Sequence, residues 1–214
     1  MEKISSSKGK DKMNHLGTIT IETPRLLLRR FVKEDAAAAF QNWTSDEKVT
    51  EFLTWPAHES QAVTESILQD WIDSYRRPDF YQWALVLKEE GDEPIGTISV
   101  IGVREALNLL QIGYCIGSRW WNRGITSEAF SGILPYLFQE VGANRVESWH
   151  DPENPGSGRV MAKCGLRREG VLRQADLSNR GIVDAVVYST LAEEFQAACL
   201  PFQSRKVCSG DGKE

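Results

Sequence analysis

Apolar positions recur along this chain with two different periods, and the period switches repeatedly from strand-like to helix-like. The run 25–31 (RLLLRRF) has the aliphatic density of a strand and is entered through Thr23-Pro24. Alanine-rich 35–43 (DAAAAFQNW) predicts a helix, and Ser45-Asp46 supplies a cap for a second short one reaching Leu53. Starting at Glu59 or Ser60 and ending near Tyr75, Val63, Ile67, Leu68 and Trp71 return at helical spacing. Residues 80–88 (FYQWALVLK) and 94–102 (PIGTISVIG) read as strands, and Glu89-Glu90-Gly91-Asp92 between them predicts a hairpin. A third strand follows at 108–117 (NLLQIGYCIG).

In the next segment Ile125, Ala129, Ile133, Leu137 and Val141 lie four apart, which makes one buried stripe on a helix. Pro135 falls inside this pattern and removes an internal N–H donor, so a kink or one loosened turn is expected. Residues 145–149 predict a short strand, and 155–164 a helix stopped by Gly165, which accepts the left-handed conformation of a helix end. Two last strands, 166–177 and 183–191, are joined by Ser178-Asn179-Arg180-Gly181, a hairpin-turn composition. Antiparallel strands early and a strand–helix–strand unit in the middle predict an α+β fold with a mixed sheet. Residues 1–16 and 201–214 carry no such period and read as mobile tails around one folded unit, 17–200.

The composition narrows the function classes. Of 214 residues, 41% are apolar and 26% charged, enough to bury a core and too balanced for a disordered or collagen-like chain. A net charge of −5 leaves no sequence-wide basic field, so nucleic acid is not an expected partner. No run approaches the roughly 18 to 20 apolar residues that cross a bilayer, and the amino-terminal stretch lacks the apolar segment of a secretion signal. No membrane partner is expected, and a cytoplasmic location is. Cysteines at 115, 164, 199 and 208 form no C-x-x-C pair and the three histidines stand apart, so neither a metal site nor a disulfide is predicted.

The segment Cys115 to Ala129 (CIGSRWWNRGITSEA) carries a strand through a short glycine-containing turn directly into a helix. A helix start offers free N–H groups and the positive end of the helix dipole, which together suit an anion such as a pyrophosphate. Gly124 permits close backbone approach, and Thr126 and Ser127 add hydroxyls. An ordinary capped helix explains the same residues. The turn matches neither the phosphate-cradling G-x-x-x-x-G-K-[ST] pattern nor the dinucleotide G-x-G-x-x-G pattern.

About thirty residues on stands Asn154 to Leu166 (NPGSGRVMAKCGL), followed by Glu169-Gly170. With Thr23-Pro24-Arg25-Leu26, Ile112-Gly113-Tyr114, Trp121 to Ala129 and Asp184 to Tyr188, these segments resemble, in order and spacing, the GNAT superfamily of acyl-CoA-dependent N-acetyltransferases. The likeness is to the branch containing the ribosomal-protein-alanine and -serine N-terminal acetyltransferases, and it spans about 21–195. Three positions depart from the pattern. Trp121 stands where Gln or Arg is frequent, Thr126 where Gly or Ala is frequent, and Met161 where many members carry a proton-donating tyrosine.

The resemblance implies a mostly antiparallel twisted sheet flanked by helices, with a splayed central strand pair. It also implies acetyl-CoA as co-substrate, an amine as acceptor, and a homodimer as a family-level expectation. Tyr114, Cys115 and Ile116 would pair through their backbone with the pantetheine arm, and Asn122, Arg123, Gly124, Ile125, Thr126 and Ser127 would hold the pyrophosphate. Asn154 would orient the arm or the amine. Ser157 would hydrogen-bond the sulfur and supply its proton, through a relay because a serine hydroxyl is a weak acid. Asp176, nineteen residues after Ser157, would be the base that deprotonates the amine, ahead of Asp184 and Glu128. A solvated aspartate before a turn explains Asp176 equally well.

The acceptor remains open between a protein N-terminus and a small aminoglycoside- or polyamine-like amine. Its recognition is expected from the helices at 35–53, the helix after Pro56 and the hairpin at 174–184. Trp43, Trp55 and Trp71 there read as core, and Asp46, Glu47 and Glu51 as a solvated face. A serine hydrolase fails because residue 155 is Pro and no histidine follows Ser157. A non-catalytic acyl-CoA sensor stays open because of Met161, although Asn154, Ser157 and Asp176 argue against it.

Overall fold

Residues 12–203 are described in the computed structural model, with side chains as far as residue 197. The strands are β1 (Ile21–Glu22), β2 (Leu26–Arg29), β3 (Gln82–Leu87), β4 (Pro94–Arg104), β5 (Leu109–Ile116), β6 (Arg145–His150), β7 (Arg167–Ser178) and β8 (Gly181–Leu191). They form one sheet in the order β1-β2-β3-β4-β5-β6-β8-β7. Every neighbouring pair is antiparallel except β5–β6. The helices are α1 (Asp35–Ala39), α2 (Glu47–Thr50), α3 (Gln61–Ser74), α4 (Ile125–Pro135), α5 (Pro155–Lys163) and α6 (Ala192–Gln203).

Helices cover both faces of the sheet's centre, which is why β3 has no exposed position. Trp83, Leu85 and Leu87 enter a core shared with Phe130, Ile133 and Leu137 around α4. Ala84, between them in sequence, enters a second core with Phe31, Ala36, Ala39, Trp43 and Leu68 of the α1–α3 side. Trp43 is fully buried, and Trp55 and Trp71 pack on that second core, as the sequence predicts.

The five-residue stripe of the long helix is buried to 1% exposure or less. Pro135 ends the regular part. The following turn, Tyr136–Glu140, is wide, and the Val141 N–H reaches back five residues to the Tyr136 carbonyl. β5 and β6 pair only over Leu109↔Arg145, Leu110↔Val146 and Gln111↔Glu147, then separate. Farther along, the Ser148 hydroxyl donates to the Ile112 carbonyl, and past Ile112 the β6-facing edge of β5 has no strand partner. This is the expected splay.

The chain joins the core earlier than its pattern indicates. Residues 12–16, expected in a mobile tail, pack on the molecule: Met13 is buried, the Asn14 N–H donates to the Val141 carbonyl, and the His15 ring bridges Tyr81 and Glu105. One buried methionine and one capped helix carbonyl hold such a segment without creating any period. The two-residue β1 is likewise too short to announce itself. At the other end, α6 runs through Gln203, so residues 201–203 are helical rather than tail. Residues 1–11 and 204–214, the rest of the two expected tails, lie outside the described residues. Among the described residues, no helix is long and apolar enough to cross a membrane.

Candidate active site

The splay opens into a cleft of about 370 Å³ between β5, the turn before α4, the start of α5 and the far wall made by α2. The turn is forced into shape by its glycines. A Cβ on Gly117 would sit 2.2 Å from the Asn42 carbonyl oxygen and 2.6 Å from the Trp120 ring, so only glycine fits where β5 ends. Asn122 and Gly124 then adopt left-handed backbone (φ +60° and +74°), which turns the chain sharply into α4. No side chain caps α4, and its first internal bond runs from the Glu128 N–H to the Gly124 carbonyl. The preceding N–H groups are therefore left for an external acceptor.

Glu128 fastens this turn to the sheet. It accepts hydrogen bonds from the Thr23 hydroxyl (2.6 Å), the Arg25 N–H (2.8 Å) and Arg25 Nε (2.6 Å). Burial opposes its ionisation, but the Thr23 and Arg25 donors outweigh burial and hold the carboxyl below its usual range. Arg25 also donates to the Arg123 carbonyl. Glu128 is thus an anchor, and its carboxylate is taken up between the β1–β2 turn and α4.

Across the opened edge, α5 starts with Asn154 as its cap. The Asn154 side-chain oxygen accepts from the Ser157 N–H at 3.3 Å, and Pro155 occupies the first helical position. The Ser157 hydroxyl lies 2.8 Å from the Tyr114 hydroxyl, which comes off β5. Tyr114 also reaches the Ser157 carbonyl at 3.0 Å and packs on Phe130. Burial raises the Tyr114 phenol well above its ordinary range. Met161, at the position where the resembled pattern has tyrosine, is fully buried. Gly158 lets α5 approach β6: a Cβ there would lie 2.6 Å from His150 Nε2.

The cleft brings together Tyr114, Cys115, Ile116, Asn122, Gly124, Ile125, Thr126, Ser127, Asn154 and Ser157 from the sequence expectations. Cys115 contributes a thiol that burial pushes up to about 12, so it stays protonated at neutral pH. Arg123 is not in the lining, because its guanidinium is bound by Glu90 (2.8 Å) and Glu89 (3.0 Å) of the β3–β4 turn. Asp176 also lies outside the lining. It sits half-buried on β7 opposite Val183, and its carboxylate accepts from the Leu177 N–H.

Other members of the site have no signature in sequence. Among the described residues, every charged side chain in the lining is a cation, namely Lys48, Arg159 and Lys163, although the chain as a whole is acidic. The four-residue spacing of Arg159 and Lys163 on one helix was the only available cue. Val49, Phe52 and Leu53 make an apolar wall. The β7–β8 hairpin holds that wall: Asn179 donates to the carbonyls of Thr50, Leu53 and Trp55, and Arg180 lies over Phe52 while pairing with Asp151 and Glu153. Asp46 caps α2 and accepts from the Ser118 hydroxyl (2.6 Å), tying the wall to the turn. None of Asp46, Glu47 and Glu51 enters the lining.

Comparison with known proteins follows the same lines. The acetyltransferase (GNAT) domain model matches residues 25–167. Among curated proteins, "Uncharacterized N-acetyltransferase YoaA" of Bacillus subtilis is 32% identical across 79% of this chain and 94% of its own length. A shorter stretch, 32% of this chain and 35% of the relative, is 29% identical to the [Ribosomal protein uS5]-alanine N-acetyltransferase of Escherichia coli. The crystal structure of a GNAT-family acetyltransferase from Bacillus anthracis superposes with a TM-score of 0.72 at 27% identity, covering 82% of this chain and all of that one.

Proposed function

The chain belongs to the GNAT acetyltransferases and is an N-acetyltransferase, and from that premise we propose that it moves an acetyl group from acetyl-CoA to the free amino terminus of a protein. The observation that carries the donor is the uncapped, glycine-turned start of α4 facing a lining whose charges are all positive. That combination suits a nucleotide bearing several phosphates. In the proposal, the first N–H groups of α4, with Lys48, Arg159 and Lys163, bind those phosphates, and the edge of β5 at Tyr114 to Ile116, which has no strand partner and whose last carbonyl accepts from the Trp121 indole N–H, hydrogen-bonds the arm through its other groups. The bound co-substrate supplies the activated acyl thioester.

The chain's own residues then orient the reactants and move protons. Asn154 keeps its oxygen on the Ser157 N–H and has its amide hydrogens left for the arm or the amine. Ser157 donates its hydroxyl hydrogen toward the departing sulfur. Asp176 accepts the ammonium proton through a bridging water, consistent with its place outside the lining on a hairpin whose tip binds the α2 wall. For the acceptor, two features support a peptide terminus over a polyamine or aminoglycoside. Among the described residues, the lining contains no carboxylate to neutralise several ammonium groups, and the α2 wall offers Val49, Phe52 and Leu53 to an apolar neighbour of the amine.

The test is thiol release from acetyl-CoA with peptides bearing a free N-terminal Ala or Ser, the same peptides with blocked termini, spermidine and an aminoglycoside. The expected result is turnover with free-terminus peptides alone. Turnover restricted to the small amines would overturn the acceptor, and absence of both turnover and coenzyme A binding would overturn the donor.

A further inference from the structure

The strand edge that would carry the arm and the turn that would hold the phosphates are separate elements. A ligand spanning both needs them at a fixed separation. Glu128 fastens the turn to the β1–β2 turn, while Arg123 and the Trp120 indole fasten it to Glu89 and Glu90 between β3 and β4. Trp121 reaches a different place. Its indole N–H donates at 2.9 Å to the carbonyl of Ile116, the last residue of β5.

The direction of that carbonyl follows from the pairing of β5 with β4. The Gly117 N–H donates to the Ile95 carbonyl, so the backbone groups of Gly117 point at β4. Along an antiparallel pair such residues alternate, which turns the groups of Ile116, Tyr114 and Ile112 to the opposite edge, the one that β6 leaves. The two occupied carbonyls agree: Ile112 accepts from Ser148 of β6, and Ile116 accepts from Trp121. Between these two stops the opened edge presents the Tyr114 N–H, the Tyr114 carbonyl and the Ile116 N–H. Trp121 lines the cleft and is 44% exposed, so burial alone does not hold the ring, and the hydrogen bond orients it. We infer that Trp121 is a positioning residue for the co-substrate: its indole N–H ties the phosphate-binding turn to the end of β5 and closes the pairing edge at Ile116, which sets arm and phosphates in one register. This inference rests on the donor reading given above and names the group that joins its two halves.

The test compares two ligands by calorimetry on the wild type, Trp121→Phe and Trp121→Gln. One is coenzyme A; the other is 3′-phosphoadenosine 5′-diphosphate, which has all of its phosphates and no arm. Phenylalanine keeps a ring and removes the N–H, whereas glutamine returns an N–H donor at similar reach. Trp121→Phe is expected to bind coenzyme A about three- to ten-fold more weakly, and the arm-less nucleotide within about two-fold of the wild type. Trp121→Gln is expected to recover most of the loss. The two affinities are compared as a ratio within each variant, so a small loss of stability does not move the result. If Trp121→Phe keeps the wild-type ratio, whether both ligands bind normally or both weaken alike, the tie is wrong and the donor reading stands. A ratio that is lost and that glutamine does not recover also overturns the tie, because the ring rather than its N–H then matters. If the wild type binds neither ligand, the donor reading is wrong and this inference goes with it.

Discussion

Gly156 and Gly158 stand two apart on α5, and the structure predicts opposite outcomes for the same substitution. A Cβ on Gly156 meets nothing nearer than the Asn154 side-chain oxygen at 3.4 Å, ordinary contact. Gly156→Ala should therefore gain the helix propensity difference, up to about 1 kcal/mol, and raise the melting point by roughly 1–4 °C. A Cβ on Gly158 would sit 2.6, 3.0 and 3.3 Å from three atoms of the His150 ring. That ring cannot simply turn aside, since Nδ1 donates to the Asp151 carbonyl at 2.8 Å and the face rests near Tyr188. Overpacking costs about 1–3 kcal/mol and a lost hydrogen bond about 1 more, against the same propensity gain. The net loss is about 1–3 kcal/mol, a fall of roughly 3–10 °C in melting point, accompanied by reduced kcat because α5 carries Ser157 away from Tyr114. Scanning calorimetry on both variants, and on each in a His150→Ala background, gives the answer. With the ring gone, Gly158→Ala should become neutral or stabilising. A Gly158→Ala protein as stable as the wild type, or one equally destabilised with and without His150, would refute the packing argument.

Glu128→Gln should lower the melting point by about 3–8 °C at neutral pH and weaken coenzyme A binding, because a charged acceptor of three hydrogen bonds between the β1–β2 turn and α4 is lost. Since the folded carboxyl lies below its usual range, this stabilisation is present above the unfolded value and lost as pH falls through the folded one. The gap to wild type should close in acid, and a pH-independent gap would contradict the assignment. Glu169 behaves alike: the Arg145 guanidinium, with the Ser189 hydroxyl, brings it down to about 2 from 4.5. Its contribution is complete above about pH 4.5 and fades toward about pH 2; with its side chain 45% exposed, solvent screening limits it to about 1 kcal/mol. Glu169→Gln should accordingly melt about 2–4 °C lower at pH 7 and match the wild type near pH 2, as read by thermal unfolding across pH.

What local chemistry governs was readable along the chain. The period of Ile125 to Val141 marked a helix with one buried stripe, Pro135 placed the widened turn, Gly165 ended α5, and the glycine before Ile125 marked the turn into a helix start that no side chain caps. Each rests on contacts or dihedrals within a few residues, where sequence spacing is distance. Only the tertiary structure decided the partners. It drew Arg123 away to Glu89 and Glu90, occupied Glu128 with Thr23 and Arg25, and set Tyr114 against Ser157 across forty-three residues of chain. It likewise closed the α2 wall with Asn179 and packed Met13 onto the core. Such pairings depend on how strands and helices cross in three dimensions, and separation along the chain carries no trace of that.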